Sequence, residues 1–541
     1  MTETTKPVEG RATSVAPRLS RPPGWLTMAF DAVVVTGLTV IAYAIRQGGL
    51  PVNGLWFDDS WVASGALHGR LTEIMTVGSG HPAFTALLMA WHRIGGGSIH
   101  SLAVPALVLG ALGPAVLYLS LRSFGYRRSI ALLLAAVLVV AATSVMYSGR
   151  VKPYTFDPVL VLAMGVALPW LARRTWRWPL AVAWVLVALL LGSFSGYVLV
   201  ATAAAGIILF LHPAGDRVLR GCALAVQFAG QLVFYEWAQR STDLAGIEQV
   251  LDDAYDAHLH VYLNPIRFGS EILTHLRRIV AVYPGGSGAW LTLLGLLAVA
   301  GLVAASIRSP RRSELLANRY LLLMFSMAFV GALAGKFPFG PTTSVLVTSG
   351  GRYTMWLTPA MAVGLAATAQ RADDLVRRLA AGHQVARRAL DVALVVAAGV
   401  VLLRGAHAAQ PYPFPGSASA TRYIDTHLRP GDVALITSQS VYAFADLTDR
   451  RVTVIPTPTR QVGFTPHVDD PQILNLGLWG DVGDDPASIR HETRDAKRVF
   501  VLGGGAFGPA NVAAVGAVLQ SAGWRSHVVS FGSDVVVVWQ R

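Results

Sequence analysis

Two adjacent carboxylates, Asp58 and Asp59, stand in Leu55-Trp56-Phe57-Asp58-Asp59-Ser60-Trp61, about nine residues after the first long apolar run. A carboxylate held at a water boundary beside apolar walls is a competent proton acceptor for a hydroxyl. Asp-Asp-Ser ahead of a helical stretch is equally good helix-capping sequence, so both readings stand at this point. Gly80-His81-Pro82-Ala83-Phe84 follows, where Pro82 suits a first helical turn and His81 either caps that helix or touches a substrate. A third group, Tyr147-Ser148-Gly149-Arg150-Val151-Lys152-Pro153-Tyr154, places two cations between apolar runs, and Gly350-Gly351-Arg352-Tyr353 places another ahead of a later run. Cations in such places are costly unless paired or functional. Phosphate is their natural partner, whether of bulk lipid or of a specific substrate.

The elements that must position these groups are membrane spans. The chain has 541 residues, 53% hydrophobic and 14% charged, against a usual charged share of about 25%. Eleven apolar runs lie near 26–46, 101–121, 129–146, 156–172, 178–192, 196–212, 219–237, 289–307, 320–335, 354–370 and 389–405. A helix needs about 20 residues to cross the hydrocarbon. The pair meeting at Gly192-Ser193-Phe194-Ser195-Gly196 reads as a tight hairpin; were it one broken helix, everything downstream would invert. The formal charge is +13, which by itself points to nucleic acid. With residues 1–25 as a cytoplasmic tail, however, that tail and the alternate loops on its side together collect 21 lysines and arginines against six acids. That is a positive-inside topology signal, and no basic groove for nucleic acid remains. It puts loops 47–100, 238–288 and 336–353 outside, together with Arg150, Lys152 and Arg352. The first outer loop holds two amphipathic stretches near 60–75 and 82–95, the second apolar enough to lie in the membrane interface. No signal-peptide cleavage pattern follows the first run, and the lone Cys222 excludes an intrachain disulfide framework.

From Pro411 onward the composition becomes that of a soluble domain, 411–541, with 11 basic and 12 acidic residues. A helix over 418–429, strands at 433–437, 452–455 and 499–502, a helix over 509–522 and a closing strand pair in 526–539 make an α/β pattern. Gly503-Gly504-Gly505-Ala506-Phe507-Gly508 matches a dinucleotide loop, but no acid stands about 20 positions on, so that reading is set aside. Asp256 and His260, four apart, share a face if helical and would then ligate a metal; a solvated acidic helix is the plainer account. Glu236 reads as a boundary acid at the outer end of the seventh span.

In order along the chain, Asp58-Asp59, His81-Pro82 before an apolar helix, Tyr147 to Tyr154 after the third span, and Arg352-Tyr353 before the tenth resemble the GT-C superfamily of membrane glycosyltransferases. The branch they are most similar to includes protein O-mannosyltransferases and the lipid A aminoarabinose transferase. Five positions depart from it: Asp59 stands in place of Glu, Ala83 in place of a second Pro, Lys152 in place of Arg, and Ser148-Gly149 in place of Gln-Glu. These leave the sugar and acceptor open. The resemblance implies an α-helical polytopic membrane protein of GT-C fold with about 11 transmembrane helices, its catalytic part at 26–410, and a C-terminal soluble α/β domain. It implies a polyprenyl-phosphate sugar donor and a glycan, glycolipid or protein acceptor, joined at the outer face of the plasma membrane with inversion. Asp58 would be the general base, with Asp59 orienting it or binding a sugar hydroxyl. Arg150, Lys152 and Arg352 would hold the departing phosphate, aided by Tyr154 and Tyr353 unless these belong to the interfacial aromatic belt. Trp61 and His81 would touch substrate. Monophosphate donors of this kind need no metal, so no cofactor is expected, with a divalent cation as the alternative. Lysine occurs only at Lys6, Lys152, Lys336 and Lys497, arginine supplying the other basic residues, which suits a GC-rich bacterial genome, in whose envelope arabinofuranose and mannose are both open as donor sugars. A transporter or flippase of a lipid-linked sugar is the runner-up, disfavoured by the long outer loops and by the lack of a two-halves repeat. A non-catalytic scaffold of the same fold is the third reading.

Overall fold

The computed structural model describes residues 24–541 except 52, 70–80, 96–97, 214–215, 242–255, 257, 285, 287, 309–311, 341–350, 380–383, 409–415, 439, 457–463, 477–484 and 505–507. In hydrocarbon an apolar run has one economical backbone, a helix that satisfies its own N–H and C=O groups. The helices are, in order, α1 (Gly24–Arg46), α2 (Phe57–Leu67), α3 (Pro82–Gly95), α4 (Val104–Ser123), α5 (Arg128–Val140), α6 (Ala142–Ser148), α7 (Phe156–Arg173), α8 (Trp178–Gly192), α9 (Gly196–Leu211), α10 (Arg217–Ser241), α11 (Pro265–Val282), α12 (Trp290–Ile307), α13 (Arg312–Leu333), α14 (Thr358–Leu379) and α15 (Gln384–Ala408). Each of the eleven apolar runs falls on one of them, with α5 and α6 sharing the third. Among the described residues six helices are long and apolar enough to cross a membrane, and α5 with α6, bent by 57°, makes a seventh if counted as one span. The chain is a multi-pass membrane protein. α8 and α9 are separate, shorter helices that pack on each other across a three-residue connection, so the chain turns back at Gly192–Gly196.

Burial follows the solvent that each face meets. On α8, Val182, Leu186 and Leu190 are exposed while Ala181, Trp184 and Ala188 are buried. Pairing apolar helices in lipid gains little from hydrophobicity, so small residues and close packing decide which helices touch. α12 and α14 meet this way: a side-chain carbon on Gly301 would strike the Gly364 carbonyl, and one on Gly364 the Ala298 carbonyl.

The described part of residues 47–100 folds against the bundle. On α3, Phe84 and Leu88 are fully buried in a cluster with Val62 and Ala63 of α2 and Phe156 of α7, while Ile94 at its far end is 82% exposed. Most of the apolar face expected to lie in the membrane interface is therefore spent on α2.

The C-terminal elements are α16 (Ser417–His427), β1 (Val433–Ile436), α17 (Val441–Leu447), β2 (Val452–Pro456), β3 (Phe464–Val468), β4 (Ile473–Asn475), α18 (Pro486–Thr493), β5 (Arg498–Gly503), α19 (Gly508–Ser521), β6 (Arg525–Phe531) and β7 (Asp534–Gln540). The main sheet runs β4-β1-β5-β7-β6; β1 is parallel to β4 and β5, and β7 is antiparallel to β5 and β6. Such a sheet must be covered on both faces. One face packs Ala420, Ile424, Val441 and Phe444 of α16 and α17; the other packs Ile489, Val512, Val515 and Leu519 of α18 and α19. β2 and β3 pair antiparallel as a separate hairpin.

Candidate active site

The acidic pair sits in the first turn of α2. Trp56 takes the N-cap position and its side chain caps nothing, so Asp58 and Asp59 are first-turn residues, where the helix N-terminus favours negative charge. Their environments differ. Asp59 is fully buried and its carboxylate pairs with Nε of Arg150, whose guanidinium lies 5.3 Å from the Trp56 ring centroid and 5.7 Å from that of Tyr147. Asp58 keeps 30% of its side chain exposed and lies 3.3 Å from Nη2 of Arg352. Burial pushes Asp58 up, but Arg352, Lys152 and Arg150 together outweigh it and hold its carboxyl below the ordinary value. In Asp59 burial wins over Arg150 and Lys152, and its carboxyl is raised. Carboxylates whose surroundings push them apart in this way are suited to separate roles.

Three cations converge on the pair. Arg352 donates to the Tyr353 hydroxyl at 2.6 Å and to the Tyr147 hydroxyl at 3.3 Å, and its guanidinium lies 4.5 Å from the Tyr353 ring centroid. Nζ of Lys152, whose side chain is buried, lies 4.7 Å from the Trp61 ring centroid. Burial lowers Lys152 to about 8, with Asp58 and Asp59 opposing the shift. Tyr154 meets Tyr147 edge to face at 5.2 Å. The His81 carbonyl accepts from Thr85 at the start of α3, and its Nδ1 is buried with no hydrogen bond among the described residues. Burial, and then the nearby Lys152, push this imidazole down to about 3, so it is neutral at ordinary pH.

The cation segment is placed from α1. The bend at Ala141, between α5 and α6, leaves carbonyls at the end of α5 without helical partners. Arg46, in the last turn of α1 and fully buried, donates to Val139 O at 2.7 Å and Leu138 O at 3.1 Å. It also donates to the hydroxyls of Ser144 at 3.1 Å and Ser148 at 3.0 Å. The chain then passes Gly149, where any side chain would collide with the Gly49 carbonyl. Arg46 was open to the same positive-inside argument that singled out Arg150, since the topology expected from the sequence ends the first span on the outer side there. Other members had no such signal. Asp157, fully buried in the first turn of α7, accepts from Ser195 at 3.2 Å, and Tyr197 stacks on Trp356 at 5.6 Å.

The remaining candidates lie elsewhere. Asp256, His260 and Glu271 bring one ligand atom each to within 4.8 Å of one another, His260 Nε2 being 3.1 Å from Asp256 Oδ1. Asp256 and His260 stand in coil, Asp256 at φ +46°, and not on one helix face, while Glu271 comes from α11; Asp252 and Asp253 lie outside the described residues. Glu236 is exposed on α10. Gly504 is needed for space, since a side chain there would run into the Asp534 carboxylate. Gly350 and 505–507 lie outside the described residues.

No family description matches the sequence, and no curated protein matches it. Among solved structures, the chain is similar to ArnT from Cupriavidus metallidurans in the apo state, with a TM-score of 0.52 at 11% identity, covering 95% of this chain and 98% of that one. With the same protein bound to undecaprenyl phosphate the TM-score is 0.51 at 13% identity, covering 96% and 98%. With the Archaeoglobus fulgidus oligosaccharyltransferase in the apo form it is 0.50 at 11% identity, covering 88% and 70%. The chain has the GT-C fold that these structures share.

Proposed function

We propose that this chain is an integral membrane glycosyltransferase. It takes a sugar from a polyprenyl-phosphate donor and joins it, with inversion, to a hydroxyl of a cell-envelope glycan, lipid or protein at the outer face of the bacterial plasma membrane. Residues 26–410 form its catalytic part, the N-terminus is cytoplasmic, and 411–541 lie outside. The observation that carries the reading is the contact of Asp58, partly exposed, with Arg352 at 3.3 Å, among the cations Lys152 and Arg150. The fold adds support, since ArnT, solved with undecaprenyl phosphate, shares it.

The chemistry follows from these groups. The acceptor oxygen attacks the anomeric carbon, and the bond from that carbon to the phosphate oxygen breaks with its electron pair leaving on the phosphate. The hydroxyl proton passes to Asp58. Negative charge grows on the phosphate as the bond breaks, and fixed cations in a water-poor site stabilise it, an effect typically of ~10²–10³ in rate. Lys152 and Arg352 take this role directly. Arg150, engaged by Asp59, contributes mainly by fixing that carboxylate.

Geometry adds one requirement. From base to hydroxyl is a hydrogen bond of about 2.8 Å, and from hydroxyl oxygen to anomeric carbon an approach of about 3.2 Å. The leaving phosphate and its own contact to a cation lie beyond, so the reacting line is more than twice the present 3.3 Å between Asp58 and Arg352. Donor binding must therefore break that ion pair and replace Asp58 with phosphate. Freed of its nearest cation, Asp58 becomes a stronger base when the sugar arrives. Arabinofuranose and mannose are the donor classes to test first. In membranes given labelled polyprenyl-phosphate sugar, wild type transfers the label and Asp58→Ala and Asp59→Ala do not. Transfer retained by Asp58→Ala overturns the base assignment, and movement of donor across the bilayer without a new glycosidic bond favours a transporter.

A further inference from the structure

The C-terminal α/β elements touch the helix that carries the acidic pair. α2 has two faces. Val62, Ala63 and Ala66 pack toward α3, Ser64 and His68, four apart, turn the other way, and Trp61 and Gly65 border both sides. This second face is met by α17 and β3. The Ser64 hydroxyl donates to Oδ1 of Asp446, and Nε2 of His68 lies 3.5 Å from the same oxygen. The Asp446 side chain is fully buried, and its Oδ2 has no hydrogen bond among the described residues. Around it, Tyr442 and Phe464 meet edge to face at 5.8 Å and pack with Trp61. The chain leading into α2 is pinned as well: Leu55 N–H donates to the Ser417 hydroxyl at 3.1 Å, and Ala418 N–H to the Asn53 carbonyl at 3.0 Å.

These contacts hold α2 at both ends. Ser64 is five residues beyond Asp59, about 7.5 Å along the axis. Trp61, between them, carries Lys152 over its ring. A buried carboxylate across a domain contact is poor use of an interface unless its geometry matters, because an apolar side chain there would bind at least as well.

We propose that Asp446 is a positioning residue for the acidic pair, setting the placement of α2 through Ser64 and His68, so that the C-terminal domain is a working part of the active site. The inference rests on the transferase reading for its kinetic consequence only. Its effect on α2 is a matter of structure.

The test uses the full chain in lipid nanodiscs, with Asp446→Ala, Asp446→Asn and Ser64→Ala. Two readouts are taken: amide hydrogen exchange in 57–67, with α12 as an internal control, and sugar transfer split into kcat and donor KM. Asp446→Ala is expected to speed exchange in 57–67 by about tenfold or more and to lower kcat by ten- to a hundredfold, with donor KM within twofold. α12 should be unmoved. Asp446→Asn keeps an oxygen for Ser64 to donate to and should restore most of kcat. Ser64→Ala should resemble Asp446→Ala in a milder form. Unchanged exchange in 57–67, or faster exchange with kcat unchanged, overturns the proposal. So does an Asn variant as impaired as Ala, because burial alone would then be the role. A wild type that transfers no sugar defeats the transferase reading instead, and the exchange arm still decides whether Asp446 holds α2.

Discussion

Replacing Asp58 by asparagine should slow transfer severely and yet tighten donor binding, and the two effects have separate causes. The resting carboxylate and the incoming phosphate compete for Arg352. At the observed 3.3 Å, two unit charges attract by about 1.3 kcal/mol in water and about 5 kcal/mol at an effective dielectric of 20. Asp58 is 30% exposed and Arg352 is 11% exposed, so solvent screening pulls the value toward the lower figure. An attraction of about 1–2 kcal/mol must then be given up when phosphate binds to the wild type, and none in Asp58→Asn. That corresponds to roughly five- to thirtyfold tighter binding of polyprenyl phosphate. Removing the negative charge also lifts its repulsion of the phosphate, which acts in the same direction. Loss of the general base should meanwhile lower kcat by about 10²–10⁴. The assay is equilibrium binding of polyprenyl phosphate to protein in nanodiscs at two salt concentrations, with the variant's advantage shrinking at higher salt. Equal or weaker binding by Asp58→Asn would refute the displacement step, whatever happened to the rate.

Three other outcomes follow from the site. Lys152, lowered to about 8 mainly by burial, loses its charge as pH rises through that value, so kcat/KM should fall on the alkaline side near pH 8. Lys152→Arg, whose guanidinium stays charged, should remove that limb of the pH profile even if its maximal rate is lower. Arg46→Met should leave the Leu138 and Val139 carbonyls and two serine hydroxyls without their donor, costing about 3 kcal/mol or more, read as a lower midpoint of thermal unfolding in detergent. Gly149→Ala must push the cation segment away from the Gly49 carbonyl, and transfer should drop by about a hundredfold with the protein still folded by size-exclusion chromatography.

The sequence was informative where physics acts locally. Hydrocarbon forces a long apolar run into a helix, so each of the eleven runs lies on one. The longer C-terminal strands were legible through their Val-rich runs, as at Val499–Leu502. β3 (Phe464-Thr465-Pro466-His467-Val468) and β4 (Ile473-Leu474-Asn475) have no such run, and α17 and α18, seven and eight residues long, are too short for a helical period to show. The Gly192–Gly196 connection read correctly as a hairpin. The amphipathic face of α3 did not disclose its partner, because an apolar stripe fits α2 as well as lipid. Asp58 and Asp59 were visible as a pair, but nothing local said which would be buried. That difference is set by Arg150, 91 residues away, and by Arg352. Asp446 was invisible for the same reason, since its hydrogen-bond partner Ser64 is 382 residues distant and an isolated aspartate in a soluble-looking helix carries no signal.

The central claim is that Asp58 takes the proton as a sugar leaves polyprenyl phosphate. It is tested most directly by incubating purified protein with labelled polyprenyl-phosphate arabinofuranose and, separately, mannose, plus envelope acceptors, and determining the anomeric configuration of the product. Wild type should form a glycosidic bond of configuration opposite to the donor's with one of the two sugars, and Asp58→Asn should bind the same donor and form none. Transfer by Asp58→Asn at the wild-type rate, or a product that retains the donor's configuration, would contradict the account.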